Sequence, residues 1–226
     1  MGERFIWGDS SAVSAQLASE VEEVYTSGYA FAARKTDGSV VTWGHVNGGG
    51  DSSAVSAEIS SDVVTVFTTS AAFAALKSDG SVVTWGFDNW GGDSSAVSAE
   101  ISSDVETIFP SRYVFAALKS DGSVVTWGFE DNGGDSSAVS SEISSDVVEV
   151  FGNREALAAV KSDGSVVTWG DANNGGDSSD VSDQLTGGSI PSLRAVLPLP
   201  LLNPMVLLSL GGRVAGVAIV AQSVLS

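Results

Sequence analysis

Apolar residues in this chain fall into short runs that return at a fixed interval. Ala72 to Lys77 and Ser81 to Trp85 are two β-prone runs on either side of Ser78-Asp79-Gly80. Asp-Gly between such runs predicts a hairpin, because Gly accepts a positive φ at little cost. The same Asp-Gly stands at Asp37-Gly38, Asp121-Gly122 and Asp163-Gly164. A two-residue turn would set Leu76 opposite Val83 and Ala74 opposite Trp85, with Lys77 opposite Val82 and Ala75 opposite Thr84 on the other side. Both hairpin faces are then largely apolar, so neither is expected to face water alone. A third strand is predicted over Asp62 to Thr68, from Val63-Val64-Thr65-Val66-Phe67. The segment Ser-Ser-Ala-Val-Ser-Ala-Glu-Ile fits two forms equally well: a short helical turn capped by Asp51 or Ser52, or a short edge strand.

These runs belong to a tandem repeat. Asp-Ser-Ser begins at Asp9, Asp51, Asp93, Asp135 and Asp177, and Trp43, Trp85, Trp127 and Trp169 keep the same step. Trp7 falls out of step, because a stretch between its Trp-Gly and the next Asp is missing. The units are expected near 9–50, 51–92, 93–134 and 135–176, with a partial unit at 177–189. A stack of such hairpins predicts an all-β array of blades, a partial or open β-propeller-like arrangement.

The pattern Asp79-Gly80, Val82 and Trp85-Gly86, with its copies at Asp37, Asp121 and Asp163, resembles the regulator of chromosome condensation repeat family. That resemblance covers about residues 1 to 189 and implies the blades of a β-propeller. The units here are shorter than the family's, which predicts three strands and a turn in place of four strands. Gly-Gly-Asp-Ser-Ser stands where the family carries Gly-Gln-Leu-Gly. The family's nucleotide-exchange and chromatin-binding activities do not transfer, because no matching interface residues can be assigned.

Residues 190–226 break the pattern; they hold no acidic residue and are rich in Leu, Val and Pro. Pro198, Pro200, Asn203 and Pro204 interrupt the run where a membrane helix wants about 20 apolar residues. The genetic code supplies a different reading. A further hairpin, Ala-Phe-Ala-Ala-Leu-Lys-Ser-Asp-Gly-Ser-Val-Val-Thr-Trp-Gly, can be encoded so that the frame one base later reads Pro-Leu-Pro-Leu-Leu-Asn-Pro-Met-Val-Leu-Leu-Ser-Leu-Gly. That is Pro198 to Gly211, and it lies in register with the repeat. The tail is therefore expected to be a frameshifted sixth repeat and not a membrane anchor. The opening Met1 to Ile6 has no apolar run and is not expected to act as a signal peptide.

Composition narrows the chemistry. Lys and Arg total 10 against 28 Asp and Glu, a net charge of −18. Such a surface repels phosphate backbones, so nucleic acid is not an expected partner. Cys is absent and His45 is the one His, which leaves no Ser-His-Asp or Cys-His arrangement and no His-based zinc set. No enzyme activity and no cofactor are expected. The Asp column at Asp51, Asp93, Asp135 and Asp177 is read as capping the turn or helix that follows it. Calcium binding by acidic loops of a secreted or surface structural array is the alternative.

Variation between units marks the candidate site. The loop after Trp-Gly reads His45-Val46-Asn47-Gly48, Phe87-Asp88-Asn89-Trp90, Phe129-Glu130-Asp131-Asn132 and Asp171-Ala172-Asn173-Asn174. The loop before the hairpin varies as well, bringing in Tyr29, Arg112, Tyr113 and Arg154. Loops of one class gather on one face of a stacked array, and such faces bind partners. The expected role is a non-enzymatic scaffold for a protein or polar ligand, with Phe87, Asp88, Asn89, Trp90, Phe129, Glu130, Asp131, Tyr29, Arg112, Tyr113 and Arg154 as candidate binding residues.

Overall fold

The computed structural model describes residues 9–187. The 190–226 reading lies outside these residues. Among the described residues, twelve strands form four separate three-stranded antiparallel sheets, each built from consecutive strands. The first holds β1 (Val21–Thr26), β2 (Ala30–Lys35) and β3 (Val40–Gly44). The second holds β4 (Val63–Thr68), β5 (Ala72–Lys77) and β6 (Val82–Gly86). The third holds β7 (Val105–Pro110), β8 (Val114–Lys119) and β9 (Val124–Gly128), and the fourth β10 (Val147–Gly152), β11 (Ala156–Lys161) and β12 (Val166–Gly170). The architecture is all-β, a row of propeller-like blades that, among the described residues, does not close into a barrel.

Each blade is preceded by the Asp-Ser-Ser segment, which folds as a 3-10 turn such as Ser53–Val55, not as an edge strand. Asp51 Oδ1 accepts the Ser53 N–H at 2.9 Å, and the same bond recurs at Asp93, Asp135 and Asp177. A carboxylate reaching two residues along satisfies an N–H at the turn entrance, which is why Asp recurs here.

The hairpin register differs by one residue from that of a two-residue turn. Phe73 pairs with Trp85, Ala74 with Thr84 and Ala75 with Val83. Gly80 N–H donates to the Lys77 carbonyl at 3.0 Å, Lys77 N–H donates to the Ser81 carbonyl at 2.9 Å, and Gly80 has φ +80°. This is a three-residue loop with a bulge at glycine, and its extra residue moves the pairing by one. Asp79 Oδ1 accepts both the N–H and the hydroxyl of Ser81, at 2.9 and 2.6 Å.

Stacking explains the two apolar faces. Ala72, Ala74 and Leu76 on one face of β5 pack with Phe115, Ala117 and Trp127 of the following blade. Phe73, Ala75 and Trp85, on the other face of the same hairpin, pack with Ala30 and Ala32 of the preceding blade. Small alanines on the leading face leave room for the next blade's aromatic pair. Phe73 and Trp85 stack with ring centroids 5.2 Å apart and planes 10° apart. Burying a ring of this kind contributes about 1.5–3 kcal/mol.

Each junction also carries a polar clasp. Trp85 Nε1 donates to the Gly49 carbonyl, Trp127 Nε1 to Gly91 and Trp169 Nε1 to Gly133, each at 3.1 Å. Gly91 has φ +99°, and a Cβ there would sit 2.5 Å from Cδ2 of Phe115. Gly49, Gly91 and Gly133 are therefore blade-junction residues. At the opposite rim, Val63 N–H donates to the Gly38 carbonyl at 3.1 Å, and β7 and β10 start in the same way on the hairpin turn of the preceding blade. Asp62, just before it, holds φ +66°, a conformation that Asp tolerates better than most residues.

Candidate functional site

Antiparallel pairing brings the two variable loops to one rim. Ala30 pairs with Gly44, so the loop entering β2 lies beside the loop leaving β3, and every blade repeats this. His45 N–H donates to the Tyr29 carbonyl at 3.0 Å, Phe87 N–H to Ala71 at 2.9 Å and Phe129 N–H to Tyr113 at 3.1 Å. Side chains add a second tie: Ser27 Oγ donates to the Gly48 carbonyl at 3.2 Å, Thr69 Oγ1 to Trp90 at 2.8 Å and Asn153 Nδ2 to Asn174 at 2.8 Å. Between blades, Gly28 N–H donates to the Ser70 carbonyl at 2.8 Å and Ser70 N–H to the Arg112 carbonyl at 2.9 Å. Backbone bonding along and across the blades makes the rim a fixed platform.

Five of the candidate residues come together on that platform. Phe87 meets Trp90 edge to face at 5.1 Å between centroids, Trp90 meets Tyr113 at 4.6 Å, and Tyr113 lies 6.3 Å from Phe129. The Arg112 guanidinium carbon sits 4.8 Å from the Tyr113 ring centroid. The aromatic row thus crosses from the second blade to the third. Asp88, Asn89, Glu130 and Asp131 stand exposed in the single helical turns beside it. Tyr29 is separate, in the first blade, with His45 as its ring neighbour at 6.3 Å. Arg154 is exposed on the fourth blade, where Glu155 and Asp171 occupy the positions of Tyr113 and Phe129.

His45 belongs to this row of positions and was missed in the sequence as a ring partner. It stands one repeat before Phe87 and two before Phe129, so the repeat itself carried the signal. The Trp column is separate from the rim: Trp85, Trp127 and Trp169 are buried in the blade junctions.

The acidic columns are held by their own turns. A backbone hydrogen bond from Ser53 lowers the Asp51 pKa below the usual carboxylate range, and Asp93, Asp135 and Asp177 shift the same way for the same reason. The Ser81 hydroxyl, followed by its N–H, lowers Asp79. Glu22 and Glu23 face Arg34, at 2.9 and 3.8 Å. Among the described residues no group of three or more His, Cys, Asp or Glu side chains is placed to hold a metal ion. No helix among the described residues is long and apolar enough to cross a membrane.

No protein-family model and no curated protein matches the chain. Solved structures do match it. Prp20p from Saccharomyces cerevisiae is 15% identical at a TM-score of 0.44, over 72% of this chain and 46% of its own. The CRINKLY WD40 ectodomain of the Arabidopsis thaliana receptor kinase ACR4 is 21% identical at 0.43, over 66% of this chain and 52% of its own. Human WBSCR16 is 17% identical at 0.45, over 66% of this chain and 47% of its own. The chain spans about half the length of these structures.

Proposed function

We propose that the chain is a non-catalytic scaffold whose loop rim binds a basic peptide segment of a protein partner. The observation that carries this reading is the aromatic row Phe87, Trp90, Tyr113 and Phe129, bordered by Asp88, Glu130 and Asp131. Aromatic faces attract guanidinium groups, and Arg112 over Tyr113 displays that contact within the chain itself. Neighbouring carboxylates would draw the same cation and speed its approach. Phe87 and Phe129 remain more than a third exposed, so ring surface is left for a ligand.

The test is a titration with an arginine-rich peptide, followed by tryptophan emission. Trp85, Trp127 and Trp169 are buried and Trp43 lies in the first blade, away from Tyr113 and Phe129, so the part of the signal that Trp90→Phe removes reports the rim. Binding should weaken as salt rises and should be lost in Trp90→Ala. A neutral oligosaccharide that binds where the peptide does not would overturn the charge part of the reading; no response to either would overturn the site.

A further inference from the structure

Each internal junction joins a leading face to a trailing face, and the described blades end on one unpaired copy of each. In the first blade the trailing face is formed by Leu17, Val21, Val24, Phe31 and Trp43. Its counterparts in later blades are sealed: Val24 is 51% exposed, while Val66, Ile108 and Val150 at the same repeat position are 4%, 2% and 2% exposed. In the fourth blade the leading face is Ala156, Ala158 and Val160. Ala158 and Val160 are only partly buried, whereas Ala74 and Ala116, the repeat equivalents of Ala158, are fully buried under the next blade.

We infer that these two faces join copies of this chain head to tail, the fourth blade of one copy against the first blade of the next. The occupant is a second copy because the complementarity is already demonstrated within the chain. The same pair of surfaces meets at all three internal junctions, and the proposed contact continues that series. The shapes agree in detail. Phe31 and Trp43 are stacked at 5.2 Å and 10°, as Phe73 and Trp85 are, ready to receive a small-residue face. Gly175 has φ +101° like Gly91 and Gly133, and among the described residues none lies where Phe115 and Leu157 crowd those glycines; the nearest of them is Asn153 Nδ2 at 3.7 Å. In the joined pair Trp43 Nε1 would donate to the partner copy's Gly175 carbonyl, repeating the clasp of the other junctions. Charge does not block the approach locally, since Glu20 pairs with Lys35 at 3.4 Å and Glu22 with Arg34 at 2.9 Å. The contact joins unlike surfaces, so it gives a closed ring or an open chain of copies and not a two-fold dimer.

The experiment is light scattering with size exclusion on the full chain and two variants, Val24→Asp and Ala158→Asp. The full chain should run as concentration-dependent oligomers that strengthen with salt, because each copy carries a charge of −18. Each variant alone should be monomeric, with association weakened by more than about tenfold from a carboxylate trapped in an apolar contact. Mixing the two should restore a one-to-one dimer and nothing larger, because the Ala158→Asp chain supplies the intact trailing face and the Val24→Asp chain the intact leading face. Val64→Asp, at an equally exposed site away from both faces, should associate like the parent. Unchanged far-UV circular dichroism establishes that the variants fold. A monomeric parent at every concentration, as when other residues of the same chain cover either face, would overturn the proposal. So would oligomers that persist in both variants, or variants that fail to complement.

Discussion

Gly91→Ala separates two costs that the blade junction combines. The first is backbone strain: φ +99° is a left-handed conformation, and a non-glycine residue there loses about 1–2 kcal/mol. The second is steric. The new Cβ would lie 2.5 Å from the Phe115 ring, which is fully buried and packed against Trp127, so the ring cannot swing aside. Forcing an extra carbon into a filled core costs about 1–3 kcal/mol. Together the loss should be about 2–5 kcal/mol. Gly133→Ala supplies the comparison, with φ +103° and the same carbonyl bond to a Trp. Its neighbours are the tip of Leu157 at 2.9 Å and two Trp169 ring atoms at 3.2 Å, a milder crowding than the Phe115 ring gives at Gly91. Its cost should stay near the backbone share, about 1–2 kcal/mol. The assay is urea unfolding followed by tryptophan emission and far-UV circular dichroism, accepted where the two transitions coincide. A double-mutant cycle then adds Phe115→Leu, the residue the next blade already carries at Leu157. In that background the Gly91→Ala cost should fall by the steric share. Equal costs for Gly91→Ala and Gly133→Ala, with no coupling to Phe115, would refute the steric account.

Three other outcomes follow from the same geometry. Trp127→Phe leaves the Gly91 carbonyl without its donor and should lose about 1–3 kcal/mol beyond packing; Trp43→Phe, with no such clasp among the described residues, should lose less in the same unfolding assay. Thermal melting against pH should show stability present above the ordinary Asp pKa of about 3.9 and lost as pH falls below it, because turn hydrogen bonds depress the folded-state values of Asp37, Asp79, Asp121 and Asp163. Asp121→Asn keeps an acceptor for Ser123 but does not titrate, so its acid decline should be shallower. Calcium should leave the melting temperature where a chelator leaves it, since each column Asp is engaged by its own Ser; a clear rise with calcium would revive the acidic-array reading.

The strands of each repeat, and the loops that vary between units, were legible because they are local and recur at a fixed step. Val63 to Phe67 and Ala72 to Trp85 carry their β character within a few residues. The hairpin register was not legible. Asp79-Gly80 suits both a two-residue turn and a three-residue loop with a bulge, and only the Lys77–Ser81 bonding decides between them. Alternation in Phe73-Ala74-Ala75-Leu76 shows two buried faces but not which blade covers each. The Trp clasp was hidden for a related reason: donor and acceptor are 36 residues apart, so no local spacing signals them. Of the candidate site, the residue types were visible in the loops. The meeting of Trp90 with Tyr113 depends on adjacent blades and had to be seen in three dimensions.

The start of β4, β7 and β10 on the preceding Asp-Gly turn has a bearing on how such a chain can change length. Gly38, Gly80 and Gly122 offer the same carbonyl to Val63, Val105 and Val147, at 3.1, 3.1 and 3.0 Å. The backbone bond of one seam is therefore interchangeable with that of another. Removing or duplicating one whole unit in the gene would rejoin donor and acceptor without new chemistry, so recombination between neighbouring copies could lengthen or shorten the array while its local energetics stay level. A partial excision, by contrast, would strand a Val donor and a Gly acceptor together.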